Sequence, residues 1–155
     1  MKNTASLIFI IFFALLLYPK AEAQKQVPKD KALNVLLRTN RVLGHAHMSV
    51  KRGKVYTGDL AKAVRHQRYA KKLYNNGNYL KAIHHSRRAR LLAIEAIKAN
   101  KVKPTGDCSI TPEENELMGT VPSDKDLEEE LAKDGIPELK DEDLVNNNNL
   151  DIEVK

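Results

Sequence analysis

Tryptophan is absent from this chain, and five Tyr and three Phe are its only other aromatics besides histidine. That leaves no stacking platform for sugars or single-stranded nucleic acid. A single cysteine, Cys108, excludes an intrachain disulfide. At the junction of two oppositely charged segments it reads as a free thiol in a solvated linker, with an intermolecular disulfide as the alternative. Catalytic signatures are missing too: there is no HExxH, no GxSxG, no phosphate-cradling glycine loop and no cysteine with a partnered histidine. Paired carboxylates occur only in an acidic segment where nothing holds them in a reactive geometry. The expectation is a non-enzymatic chain without a cofactor.

Long apolar runs are also lacking, with one exception. Leu7 to Tyr18 is uninterrupted (LIFIIFFALLLY), follows Lys2, and ends at Pro19 before the small residues Ala21 and Ala23. This is the pattern of a secretory signal peptide, residues 1–23, with cleavage before Gln24. The run falls short of the roughly 20 residues that span a bilayer. Position 24 is Gln, so acylation there is unsupported. The expectation is export, to the periplasm or beyond, with no transmembrane segment in the mature chain.

Charge divides the remainder. Residues 24–103 hold 20 Lys plus Arg against three acids, a net of +17, and all five histidines. Residues 104–155 hold 16 acids against four Lys, a net of −12. The domain reading is therefore a basic helical module, 24–103, followed by an acidic tail, 104–155.

Within the module, Pro28 and Asp30 mark a helix start. Leu33, Leu36, Leu37, Val42, Leu43 and Val50 then recur at helical spacing. Gly53 and Gly58 punctuate a connection. A second helix is predicted from Asp59 to Tyr74, a turn at 75–78 (NNGN), and a third helix from Tyr79 to about Asn100. GDLAKAVRHQRYAKKL, from Gly58, aligns without a gap on GNYLKAIHHSRRARLL, from Gly77, a period of 19 residues. One unit is a turn plus a helix, which buries its apolar stripe only by stacking on a neighbour. Connections this short make sequential helices antiparallel. The fold class expected is all-α, a small antiparallel three-helix module. Its core is small for its charge, since a domain of such size buries only about 60% of its unfolded surface.

Ala70, Leu73, Tyr74, Gly77, Tyr79, Ala82 and Ala89 resemble the signature of a tetratricopeptide repeat over about Asp59 to Lys98. His66 stands where that family usually has a large aromatic, and no Pro follows the second helix. The resemblance implies a helical hairpin used for binding rather than catalysis.

In the acidic tail, Thr111, Pro112, Glu113 and Glu114 predict a capped helix to about Met118. Ser123 with Asp126 resembles a capping box opening a helix through Leu127 and Leu131 that stops at Gly135. Leu139, Leu144, Val145, Leu150 and Ile152 are scattered among acids, and the tail reads as largely disordered with short helices.

Three constellations stand out. Arg65, Arg68, Lys71, Lys72, Lys81, Arg87, Arg88 and Arg90 form a basic face suited to phosphate, sulfate or carboxylate groups. His47, His66 and His85, themselves 19 residues apart, could come level as a three-histidine metal site. Their ordinary reading is as boundary residues, since no carboxylate is placed near them as an orienter; His45 and His84 read as surface residues. The tail itself could be the ligand of the basic face. Nucleic acid fits the charge, but export favours an anionic envelope component or an acidic protein. The function expected is an exported adapter whose basic module engages an anionic partner under control of its acidic tail. The alternatives are a periplasmic metal- or haem-handling protein and a structural subunit of an envelope complex.

Overall fold

The computed structural model describes residues 26–147 and 149–154; the expected signal peptide lies outside the described residues. Six α-helices and one 3-10 turn are present, with no β-strand among the described residues. The first three helices are α1 (Lys29–Gly53), α2 (Asp59–Asn75) and α3 (Tyr79–Ala99). They lie where the apolar spacing and the Gly and Asn punctuation place them. No described helix is long and apolar enough to cross a membrane.

The direction of each helix follows from its contacts. Gln67 of α2 donates to the Leu36 carbonyl and to Asn40 of α1, while the start of α2 lies beside the end of α1, so these two are antiparallel. Thr39 meets Ser86, and Asn100 meets Val55 just past α1, so α1 and α3 run parallel. The product is an up-down-up bundle.

The α2–α3 turn closes on a Schellman pair. Asn78 N–H reaches the Leu73 carbonyl at 2.9 Å and Gly77 N–H the Tyr74 carbonyl at 3.0 Å. Gly77 has φ +79°, which glycine adopts without a Cβ penalty. The turn lies midway between His66 and His85, so folding the repeat back on itself brings its two histidines level. Ala63, Ala70, Ala82, Ala89, Ala93 and Ala96 are all buried on α2 and α3, which lets the helices approach closely.

The acidic segment keeps the short helices expected of it: α4 (Pro112–Met118), α5 (Asp124–Lys133) and α6 (Asp141–Val145). Both capping boxes form. Thr111 Oγ1 accepts from Glu114 N–H at 3.2 Å and Ser123 Oγ from Asp126 N–H at 3.2 Å. α5 ends in a second Schellman pair at Gly135, φ +64°. Elsewhere the segment is irregular, but it differs from a largely disordered tail in docking on the bundle through a series of buried apolar residues. It descends the α1–α3 groove through the 3-10 turn (Gly106–Cys108) and α4, crosses α3 and α2 with α5, and returns along α2 and α1 with α6 and 149–152.

This belt completes the core that the bundle lacks. Cys108, Met118, Leu131, Leu144, Val145, Leu150 and Ile152 join the two apolar clusters formed with α1–α3, and each is under a tenth exposed. Full burial of a side chain of this size stabilises by about 1.5–3 kcal/mol. Leu144, Val145, Leu150 and Ile152 follow no helical or strand period because each docks singly. Cys108 is therefore a core residue, which corrects the solvated thiol expected from its place between the charged segments.

Candidate anion-binding face

The eight basic residues read from the sequence all sit on α2 and α3, and the acidic belt meets most of them. Arg65 pairs with Glu138 at 2.6 Å and Glu128 at 3.5 Å, Lys71 with Asp151 at 2.7 Å and Lys72 with Asp134 at 3.0 Å. Lys81 pairs with Glu130 and Arg88 with Asp124, both at 3.0 Å. Arg68 Nε donates to the Leu150 carbonyl at 2.9 Å. Arg87 makes no ion pair among the described residues. Arg38 and Arg41 of α1 extend the set, reaching Asp107 and, from Arg38, Glu114. Sequence reasoning missed both because α1 carries no copy of the repeat that drew attention to α2 and α3.

Arg90 is different in kind. It is 2% exposed, and its five N–H donors are all matched. Nε donates to Thr39 Oγ1, the two terminal nitrogens donate in parallel to both Glu114 oxygens at 2.8 and 3.0 Å, and the remaining hydrogens meet the Ser109 and Val35 carbonyls. Burial raises the Glu114 carboxyl, but the Arg90 hydrogen bonds and charge outweigh it and hold the group below its usual range. A fully matched guanidinium has no donor left for an outside anion. Arg90 is an anchor for α4.

Asp141 anchors the return of the belt. At 1% exposure it accepts from the N–H groups of Gly58 (2.8 Å) and Ala61 (2.7 Å). Gly58, the N-cap of α2, has no side chain to do this, so a residue 80 positions beyond Ala61 along the chain caps the helix.

Two of the three candidate metal-binding histidines come together. His66 and His85 are fully buried with their Nδ1 atoms 3.0 Å apart. His66 Nε2 meets Glu128 at 3.0 Å and His85 Nε2 meets Glu130 at 3.4 Å. The absence of orienting carboxylates expected from sequence is thus corrected: α5 supplies two, one to each ring. His47 joins neither; its Nε2–H donates to the Leu144 carbonyl at 3.0 Å. All four ring nitrogens of His66 and His85 are engaged. No group of three or more His, Cys, Asp or Glu among the described residues is placed to hold a metal ion. His84 is buried too, its Nε2–H donating to the Met118 carbonyl at 2.8 Å, which corrects its reading as a surface residue.

Burial is the first cause lowering both histidines, with mutual repulsion added at His85, which falls to about 4. Two neutral rings supply two protons for three contacts, so one contact of the chain Glu128–His66–His85–Glu130 is left without a hydrogen while both rings stay neutral. Burial and the Asp134 carboxylate push the Tyr69 hydroxyl, whose ring packs edge-on against His85, up to about 12.

No family model, no curated protein and no solved structure matches the chain. The reading of the site rests on its own chemistry.

Proposed function

We propose that the chain is an exported, non-enzymatic binding protein whose basic module takes an anionic partner, and that its acidic belt holds the same face until that partner arrives. One observation carries the reading: nearly all of the ion pairs among the described residues join the basic module to the acidic segment, including those of Arg65, Lys71, Lys72, Lys81 and Arg88. A face that already binds carboxylates in cis has the chemistry to bind them in trans. Several of the belt's acids are well exposed, Asp124 at 66%, Asp151 at 69% and Glu138 at 80%, and exposed pairs are each worth only about 0–1 kcal/mol and are screened by salt. A partner offering several anions at once can therefore displace them pair by pair, while the buried Arg90–Glu114 pair and the Asp141 cap keep the belt tethered. The α2–α3 hairpin serves as the binding scaffold, as its resemblance to a tetratricopeptide repeat implies. The partner is an acidic protein or an anionic envelope polymer, and the site of action is the periplasm or the cell exterior.

The test neutralises the exposed acids alone: Asp124→Asn, Asp134→Asn, Glu138→Gln and Asp151→Asn in one chain. Binding to a sulfated polymer across a salt series is compared with the unaltered chain. Tighter binding with a steeper salt dependence supports masking of the face. Equal binding by the two chains sinks it.

A further inference from the structure

At one pole of the bundle the belt supplies the Asp141 cap of α2 and leaves the loop that follows α1 exposed. α1 and α3 are parallel and end near one another at that pole, and each is followed by a lysine in the left-handed conformation, Lys54 at φ 55° and Lys101 at φ 57°. Glycine is the residue this helix-ending position favours, and an L side chain there carries strain. Among the described residues only Asp151 shares the feature. Cations relieve the partial negative charge at helix C-termini, but that need does not require them in the strained position.

Beside Lys54 lie Val55 and Tyr56, 44% and 41% exposed, two of the four exposed large hydrophobics among the described residues. Their loop is held rather than loose. Asn100 at the end of α3 accepts from Val55 N–H at 3.0 Å through Oδ1 and donates back to the Val55 carbonyl at 3.1 Å through Nδ2. Arg52, Lys54, Lys101 and Lys103 are exposed around this pair, and none of the four carries an ion pair among the described residues. Of the nearby acids, Asp59 accepts from Thr57, Asp141 from the first amides of α2 and Glu95 pairs with Lys98, while Glu142 and Asp143, next to Asp141, are exposed. The pole thus presents an aromatic and an aliphatic side chain on a braced loop, with four exposed cations in the adjoining ends of α1 and α3.

We propose that this pole docks on an anionic lipid surface, with Val55 and Tyr56 entering the headgroup region and Arg52, Lys54, Lys101 and Lys103 meeting lipid phosphates. Tyrosine suits that depth because its ring is apolar and its hydroxyl wet, and clustered Lys and Arg beside it are drawn to anionic headgroups. A soluble polyanion would satisfy the cations and leave the apolar pair in water, so the combination selects a bilayer. The surface is separate from the face under the belt, and its test leaves the belt unaltered, so its failure does not bear on the proposed function.

The chain lacks tryptophan, so Tyr56→Trp gives emission from this loop alone. The chain is used from Gln24, because the apolar run at 7–18 would itself insert, and the described core extends from Val27 to Ile152. Equimolar phosphatidylglycerol and phosphatidylcholine vesicles are expected to shift the emission of the Tyr56→Trp chain to the blue, with no shift on phosphatidylcholine alone. Co-sedimentation of the chain with Tyr56 intact should match. Lys54→Glu with Lys101→Glu, and separately Val55→Ser, should each weaken binding by about tenfold or more, with far-UV circular dichroism and melting temperature unchanged. Lys103→Glu serves the same purpose should the first pair disturb the helix ends. Absence of a blue shift on anionic vesicles overturns the proposal. So does a shift that survives charge reversal, or one that inorganic polyphosphate produces without vesicles, which would assign the pole to a soluble polyanion.

Discussion

Acidification acts on this fold through His85 before it reaches the carboxylates. The His85 imidazole is fully buried against His66, Tyr69 and Glu130, with Glu128, Lys81, Arg65, Arg88 and His84 around the pair. Burial lowers its pKa to about 4 in the folded chain, against about 6.5 when unfolded. A base with a depressed folded pKa costs the fold nothing at high pH, where both states are neutral. As pH falls through 6.5 the unfolded chain takes up the proton and the folded chain does not, so stability declines until pH reaches the folded value. Between pH 8 and pH 5 this one group removes about 2 kcal/mol, rising to about 3 kcal/mol once pH is below 4. His66 and His84, lowered in the same direction and for the same first cause, add to the decline. Below about pH 4.5 the carboxyls of Glu114 and Glu130, both held low, contribute in turn. The assay is urea unfolding followed by circular dichroism at pH 8 and pH 5, for the unaltered chain and for His85→Gln. The unaltered chain should lose about 2 kcal/mol more over that interval than the variant. Equal losses would refute a buried neutral His85, and with it the docking of α5 over the histidine pair.

Glu114→Gln leaves the Arg90 guanidinium buried without its counter-ion, and urea unfolding should show a loss of about 3–5 kcal/mol; Glu129→Gln, on the exposed side of α5, should cost less than about 1 kcal/mol. Gly53→Ala would drive a Cβ into the Asn100 side chain, so that side chain must shift and its bridge to Val55 is disturbed. Despite alanine's better helix propensity, the melting temperature should fall by an amount matching about 1–2 kcal/mol. Cys108 is 7% exposed in a core shared by α1, α2 and α3. An aromatic disulfide reagent should therefore label it slowly in native buffer and fast in urea, and rapid native labelling would show that the belt does not pack there.

The parts of the fold legible in the sequence are those governed by local rules. Apolar spacing and the turn at 75–78 place α1, α2 and α3 within a residue or two. Thr111 with Pro112 and the two acids after it, and Ser123 with Asp126, announce α4 and α5, because helix starts are written in a few consecutive residues. The level placement of His66 and His85 follows from a 19-residue repeat folded about its own turn. What escaped reading is long-range. Glu128 and Glu130 meet the histidines from 62 and 45 residues away in the chain. His84 looks like a surface residue until the Met118 carbonyl arrives over it. The belt itself is nearly invisible, since Leu144, Val145, Leu150 and Ile152 fill separate gaps in a framework laid down by other residues and share no period. The basic face was legible as charge and the acidic tail as a candidate occupant, but which acid meets which base was not, because ion pairing across the chain leaves no spacing to detect.

Hydrogen exchange with and without a sulfated polymer tests the displaceable belt most directly. If a partner lifts the acidic segment from the basic face, amides of α5 (Asp124–Lys133) should lose protection on adding polymer at low salt, while those of α2 and α3 keep theirs. Unchanged protection of α5 with the polymer bound would contradict it, since the anion would then sit elsewhere and the belt would be a fixed part of the fold.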